Sequence, residues 1–163
     1  MAEQLYFAYG SNMDLKQMDF RCPDAQVVEN VRLMDYRLTF CGGRRRNGVA
    51  TIFPEKGSYV DGVLWKITEK CENSLDMYEG YPMLYGKKVV TVKNPAGEKM
   101  QAVVYVMNAP YKDVPAAPAR VYLNGILRGC EQNGIPKEPI LKAARELPME
   151  QKMPSRKREE AER

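Results

Sequence analysis

The first apolar run and the turn after it most constrain how this chain folds. Residues 5–9, LYFAY, contain three aromatic side chains that favour a buried β-strand. Gly10 permits a tight turn, and Ser11 or Asn12 can cap a helix predicted over residues 13–20. A strand that enters a helix through a glycine directs several backbone N–H groups at one place. Such a place favours the binding of an anion. The alternative is an ordinary strand-to-helix junction with a standard cap, which has the same sequence pattern.

Length and composition favour one domain. The chain has 163 residues, 44% of them hydrophobic, which is enough for one core and too few for two. Its four cysteines form no C-x-x-C pair, so we expect free thiols rather than a zinc or redox site. The net charge of +4 neither requires nor excludes nucleic acid. No leader-like stretch begins the sequence and no membrane-spanning apolar run is present, so we expect a cytoplasmic protein.

The sequence contains no histidine, and this absence strongly restricts its chemistry. Ser-His-Asp and Cys-His nucleophile systems and histidine-ligated metals are excluded. Any proton transfer must therefore use a carboxylate, a tyrosine, a lysine or a cysteine.

The rest of the chain alternates between strand and helix patterns. Helices are predicted over 69–79, capped by Thr68, and over 118–133 and 139–147; strands are predicted over 25–31, 34–40, 49–53, 59–67, 85–92 and 99–107. This order indicates one α+β domain over residues 1–147, in which a mixed sheet closes into a small barrel with helices packed around it. Residues 148–163 are charged, and we expect a disordered tail there.

The strand predicted over 59–67 alternates between two faces. One face carries Val60, Gly62, Leu64 and Lys66. The other face is expected to be mostly core-facing, and it carries Tyr59, Asp61, Val63, Trp65 and Ile67.

Glu79 is the best-placed candidate for a general acid or base. It ends the helix predicted over 69–79, where the helix dipole disfavours negative charge, and aromatic and apolar residues flank it. Partial desolvation there raises a carboxyl pKa towards neutrality, which suits a group that both takes and gives a proton. Glu72, Asp76 and Glu79 also share one helix face, and such a stripe is commonly just solvated. A single helix face does not supply converging ligands for a divalent cation, so no metal site is expected.

Several segments form a consistent pattern along the chain. They are Tyr6-Phe7-Ala8-Tyr9-Gly10-Ser11-Asn12-Met13, residues 48–52 and 61–67, Leu75-Asp76-Met77-Tyr78-Glu79-Gly80, and positions within 122–136. Together they resemble the γ-glutamylcyclotransferase (AIG2-like) family over about residues 4–147. The Tyr-Gly-Ser-Asn turn combined with Glu-Gly at the end of the central helix is the specific part of the match.

The resemblance implies a barrel-like α+β fold whose cavity holds a γ-glutamyl group. The family's catalytic glutamate maps onto Glu79. Its substrate-binding Gly-Ser loop, which acts through backbone groups, maps onto Tyr9, Gly10, Ser11 and Asn12. The family also has cavity-lining tyrosines near two further positions. Tyr85 and Tyr105 are therefore additional substrate-binding candidates, with a purely core role as the alternative.

The implied reaction is an intramolecular aminolysis that needs no cofactor. Glu79 takes a proton from the substrate's α-ammonium group, the amine attacks its own γ-carbonyl, and Glu79 then protonates the departing amine. The products are 5-oxoproline and a free amino acid or amine. The N–H groups near Gly10 hold either the substrate carboxylate or the oxyanion, and both roles stay open.

The main alternative to an enzyme is a non-catalytic module that binds a small acidic, γ-glutamyl-like metabolite. The presence of both Gly10-Ser11 and Glu79 argues against it, because a scaffold does not need a carboxylate at a helix C-terminus. Neither nucleic acid nor a membrane is expected as a partner, because three clustered arginines and a charge-balanced tail fall short of a basic face. The sequence fixes neither the leaving group nor the oligomeric state.

The loop over residues 42–48 contains Arg44-Arg45-Arg46, which are either solvated or recognise an anionic leaving group. Neutralising all three is expected to raise KM for γ-glutamyl substrates with an anionic leaving group and to leave other substrates unaffected, as measured by 5-oxoproline release. An unchanged KM across both substrate classes would rule out the recognition role.

Overall fold

Two hairpins and an N-terminal strand form a closed five-stranded barrel. The structure, a computed structural model, describes residues 4–42 and 47–147. The strands are β1 (Gln4–Ala8), β2 (Gln26–Gly42), β3 (Gly48–Ile67), β4 (Tyr85–Lys93) and β5 (Lys99–Met107). The α-helices are α1 (Leu15–Arg21), α2 (Glu69–Glu79), α3 (Arg120–Asn133) and α4 (Glu138–Arg145). Short 3₁₀ turns lie at Ser11–Met13 and Tyr111–Asp113.

β1 closes the barrel because it pairs on both edges. It runs antiparallel to β3, from Gln4↔Ile67 to Ala8↔Val63, and parallel to β5 at Tyr6↔Val103. The pairings of β2 with β3, β2 with β4 and β4 with β5 are antiparallel. This mixed barrel with its helices confirms the predicted fold class. Within the described ranges, no helix is long and apolar enough to cross a membrane.

β2 and β3 form one long ribbon where the sequence predicted four shorter strands. Pairing extends from Gln26↔Lys66 to Gly42↔Gly48. The predicted break at Pro54 is wrong, because the ribbon absorbs the extra residues of β3 in a register shift beside Asp35. Asp35 has a φ of 66°, and its carboxylate accepts a hydrogen bond from the Gly57 N–H at 3.0 Å.

The predicted core face of β3 is correct only near the strand's C-terminal end. Val63, Trp65 and Ile67 are buried, as predicted. Tyr59, which is 45% exposed, and Asp61 are not in the core; the Arg32 guanidinium stacks on the Tyr59 ring and donates to the Asp61 carboxylate at 2.8 Å. Both faces of the strand are covered where it joins the barrel, so the core also contains Val60 and Leu64.

Local capping sets the bounds of α2 as predicted, whereas α1 uses a different cap from the predicted one. Thr68 caps α2 by accepting from the Cys71 N–H at 3.2 Å, and Gly80 ends it in the left-handed conformation, both as predicted. The predicted start of the first helix is wrong. Ser11 and Asn12 belong to a 3₁₀ turn, and the cap of α1 is Asp14, whose side chain accepts from the Lys16 N–H.

α3 packs directly on the backbone between β1 and α1. A Cβ atom on Gly129 would lie 2.7 Å from the backbone of Met13 and of Asp14. Two side chains of α3 reinforce this contact: the Arg128 guanidinium donates to the buried Asp14 carboxylate at 2.7 Å, and the Asn133 amide donates to the Met13 carbonyl at 2.9 Å. The absence of a side chain at residue 129 therefore sets how closely α3 approaches this segment.

We expect Gly129→Ala to destabilise the fold by about 1–3 kcal/mol, because the clash is with backbone that cannot move alone. Gly125→Ala in the same helix is the matched control. Its Cβ would meet only the ends of the flexible Gln17 and Arg128 side chains, and alanine adds helix propensity of roughly 1 kcal/mol. Urea unfolding of both variants tests the difference, and equal midpoints would contradict it.

Candidate active site

A cavity of about 200 Å³ opens between the turn after β1, the end of α2, and α3. It brings together all seven residues that the sequence analysis proposed for the site: Tyr9, Gly10, Ser11, Asn12, Glu79, Tyr85 and Tyr105. The remaining lining residues are Tyr6, Phe7, Val49, Ala50, Tyr78, Leu84 and Tyr122.

Asn12 anchors the turn over residues 10–12 from three directions. Its amide donates to the Tyr6 hydroxyl at 2.9 Å, its side-chain oxygen accepts from Arg21, and its carbonyl accepts from the Trp65 indole at 3.1 Å. Across the described part of the chain, the backbone N–H groups of Gly10, Ser11 and Asn12 have no hydrogen-bond acceptor. The turn is thus held rigidly while its own donors remain available to a ligand.

The tyrosines of the wall use their hydroxyls to bind the protein itself. Tyr9 donates to the Tyr105 carbonyl at 2.7 Å, Tyr85 donates to the Ala50 carbonyl, and Tyr105 donates to the Asp76 carboxylate at 2.6 Å. The Tyr85 and Tyr105 rings therefore shape the cavity, while their hydroxyl protons are already engaged.

Tyr122 is a lining residue that the sequence analysis did not propose for the site. Its hydroxyl accepts from the Ala50 N–H at 2.8 Å, which leaves its own proton free, and it lies 3.7 Å from where a Cβ on Gly10 would stand. The family pattern includes positions within 122–136, but the sequence analysis assigned Tyr122 no role in the site.

Glu79 is the last residue of α2 and lines this cavity. Among the described residues, no group donates a hydrogen bond to its carboxylate, and the nearby hydroxyls belong to tyrosines whose own pKa values are raised by burial. Desolvation raises the pKa of Glu79 to about 7, and the positive charge of Arg21 opposes part of that rise. A carboxylate in this state can both accept and return a proton near neutral pH.

The matching family model is "Gamma-glutamyl cyclotransferase, AIG2-like", which covers residues 6–124. The chain belongs to this family. Its relatives include the proteins named "Gamma-glutamylcyclotransferase" from Bos taurus and Homo sapiens, 36% and 35% identical over 141 residues, which are 82% of this chain and 73% of each relative. A solved structure named "Gamma-glutamyl cyclotransferase" superposes with a TM-score of 0.79 at 31% identity, covering 90% of this chain and 89% of that one. These matches confirm the resemblance and the expected enzyme class.

The acidic face of α2 in this γ-glutamylcyclotransferase is bound to the barrel. The alternative interpretation, a simply solvated stripe of Glu72, Asp76 and Glu79, is therefore wrong for Glu72 and Asp76. Lys87 on β4 bridges Glu72 and Asp76 at 2.7 and 3.0 Å, and Tyr105 on β5 also binds Asp76. These contacts fasten α2 to the barrel just before Glu79. In the ranges that the structure describes, no cluster of three or more potential metal-ligating side chains occurs. Arg44-Arg45-Arg46 and the tail over 148–163 lie outside those ranges.

The raised pKa of Glu79 predicts a specific pH dependence of stability. Between its ordinary value of 4.5 and about 7, the folded protein holds a proton that the unfolded chain releases, so stability falls as pH rises through this window. Glu79→Gln removes this titration. Relative to the wild type, the variant is expected to gain roughly 2–3 kcal/mol in free energy of unfolding on going from about pH 5 to about pH 8. Urea unfolding at both pH values measures this, and a pH-independent difference would contradict it.

Proposed function

We propose that this γ-glutamylcyclotransferase converts γ-glutamyl amino acids or γ-glutamylamines to 5-oxoproline and a free amino acid or amine, with Glu79 as the proton-transfer group. The observation that carries the proposal is the position of Glu79. This residue, whose carboxylate is desolvated, lines the same cavity as the unbonded N–H groups of Gly10, Ser11 and Asn12.

Two protons pass from the attacking nitrogen to the departing nitrogen in this reaction. The ionised Glu79 first removes one proton from the substrate's α-ammonium group, and the free amine then forms a bond to the γ-carbonyl carbon. As the γ-amide C–N bond breaks, the carboxyl of Glu79 gives that proton to the departing nitrogen. The ring nitrogen gives up its second proton to the regenerated carboxylate, and the released amine takes this proton up, so the products are 5-oxoproline and a protonated amine. A pKa of about 7 suits both directions, because neither protonation state is strongly favoured at neutral pH.

The backbone of residues 10–12 supplies the electrostatic partner of the substrate. Its available N–H groups hold the substrate's α-carboxylate or the oxyanion that develops on the γ-carbonyl oxygen, and the free proton of Tyr122 adds a donor beside Gly10. Because Asn12 fixes the turn, these donors need no rearrangement during the reaction.

The size of the cavity supports recognition of the γ-glutamyl group rather than of the whole substrate. Its volume of about 200 Å³ is smaller than the roughly 300–1,000 Å³ of sites that enclose drug-sized ligands. We infer that the γ-glutamyl group folds into the cavity and that the leaving group extends towards its opening. Enclosure of the glutamyl chain brings the amine and the γ-carbonyl close together, which provides the proximity for ring closure.

Glu79→Gln is expected to lower kcat by about 10²–10⁴-fold, because it keeps the shape of the side chain and removes its proton chemistry. The acidic limb that we expect near pH 7 in the kcat/KM profile of the wild type should also be absent from the residual activity. The measurement is 5-oxoproline release from γ-glutamyl amino acids and γ-glutamylamines.

Glu69→Gln is the matched control, because Glu69 is an exposed carboxylate in the first turn of the same helix, and it should retain wild-type rates. Near-normal turnover by Glu79→Gln would overturn the role of Glu79. Binding of γ-glutamyl compounds without turnover by the wild type would show a receptor instead of an enzyme.

A further inference from the structure

The guanidinium group of Arg21 contacts the 10–12 turn, α1 and α2. Arg21 is the last residue of α1, and it donates hydrogen bonds to the Asn12 side-chain oxygen and, at 2.7 Å, to Gln17. The guanidinium carbon lies 3.5 Å from the centre of the Tyr78 ring, which is a close cation–π stack. In the described ranges no carboxylate pairs with Arg21 in a salt bridge. Its charge is therefore not neutralised by an adjacent acid.

Tyr78 extends this contact to Glu79. It immediately precedes Glu79 on α2, and its hydroxyl lies 3.0 Å from the Ser11 hydroxyl, within hydrogen-bond distance. The Tyr78 side chain is 42% exposed, so packing alone does not fix it. The stack with Arg21 on one side and the hydrogen bond with Ser11 on the other hold it between α1 and the 10–12 turn.

We propose that Arg21 is a positioning residue for the cyclotransferase reaction: by stacking on Tyr78 and binding Asn12, it fixes the end of α2 that carries Glu79 relative to the turn that holds the substrate. This inference rests on the proposed function of Glu79. Arg21 itself does not line the cavity, and it acts through its two neighbours.

The charge of Arg21 has a second effect, on the protonation of Glu79. The other groups that face Glu79 are neutral tyrosines from several elements, whose pKa values lie above the ordinary range: Tyr6, Tyr9, Tyr85, Tyr105 and Tyr122. Arg21 is the cation that lowers the pKa of Glu79 against desolvation. Removing its charge should therefore leave more of Glu79 protonated, and inactive as a base, at neutral pH.

The test compares the kinetics of Arg21→Gln, Arg21→Lys and Tyr78→Leu over a range of pH. Arg21→Gln is expected to lower kcat at pH 7 by about 10- to 100-fold, with a smaller change in KM, and to shift the acidic limb of kcat/KM to higher pH. Arg21→Lys keeps the charge, so it should restore the position of that limb while recovering kcat only in part. Tyr78→Leu should lower kcat as well, and combining it with Arg21→Gln should give less than the product of the two losses.

Arg32→Gln is the matched control. Arg32 also stacks on a tyrosine, with its guanidinium carbon 3.7 Å from the centre of the Tyr59 ring, but neither residue lines the cavity. This variant should show wild-type kcat and an unchanged pH profile.

Two results would overturn the inference. One is a normal kcat and pH profile in Arg21→Gln. The other is a loss of activity that merely follows the fraction of folded protein in thermal unfolding, with the acidic limb unmoved and no recovery in Arg21→Lys. The proposed function fails separately, if Glu79→Gln stays active, so the two failures are distinguishable.

Discussion

The hydrogen bonds of Asn12 hold the turn over residues 10–12 against the barrel, and much of the candidate site depends on them. A buried amide and carbonyl are stable only where every polar atom finds a partner, and Asn12 finds them in Tyr6, Trp65 and Arg21. Tyr6 and Trp65 are direct partners in the pairing of β1 with β3. A slip of β1 by one residue in that register would turn its side chains to the opposite face and separate Tyr6 from Trp65. The pairing of β1 with β3 therefore determines the geometry of the turn.

The hydrogen-bond donors of the cavity do not serve the Glu79 carboxylate. Tyr9, Tyr85 and Tyr105 donate their hydroxyl protons to backbone carbonyls and to the Asp76 carboxylate, and no described group donates a hydrogen bond to Glu79. Desolvation, rather than a neighbouring acid, raises the pKa of this carboxylate to about 7. The ionised Glu79 carboxylate lowers the stability of the fold, because no residue in the described ranges pairs with it. The same lack of pairing leaves it able to accept a proton.

Those parts of the molecule that local chemistry determines were predictable from the sequence. Thr68 and Gly80 define α2 by capping alone, and the position of Glu79 followed from that helix. The start of α1 was mispredicted because Asp14 serves as its cap, while the side chains of Ser11 and Asn12 bind residues of other elements. The family pattern identified residues that meet at the cavity. It gave no information about hydroxyl direction, because the partners of Tyr85 and Tyr105 come from other elements.

Other failures of prediction have the same origin in long-range packing. Pro54 normally interrupts a strand, and here a register shift around Asp35 accommodates it. Arg21 carried no sequence signal, because a lone arginine at a helix end is commonly a favourable charge for the helix dipole. Its stack on Tyr78 exists only once α1 and α2 are brought together.

The position of β1 in the barrel also bears on the order of folding. β2 with β3 and β4 with β5 are hairpins of neighbouring segments, which close short loops and can form early. β1 instead pairs with two strands that are distant in sequence, and those contacts carry the larger loop-closure entropy. Since β1 leads directly into the 10–12 turn, the N–H groups of that turn come to line one cavity with Glu79 only when this strand docks. The proposed site is therefore assembled only when folding is complete, and a chain with only its hairpins formed would lack it.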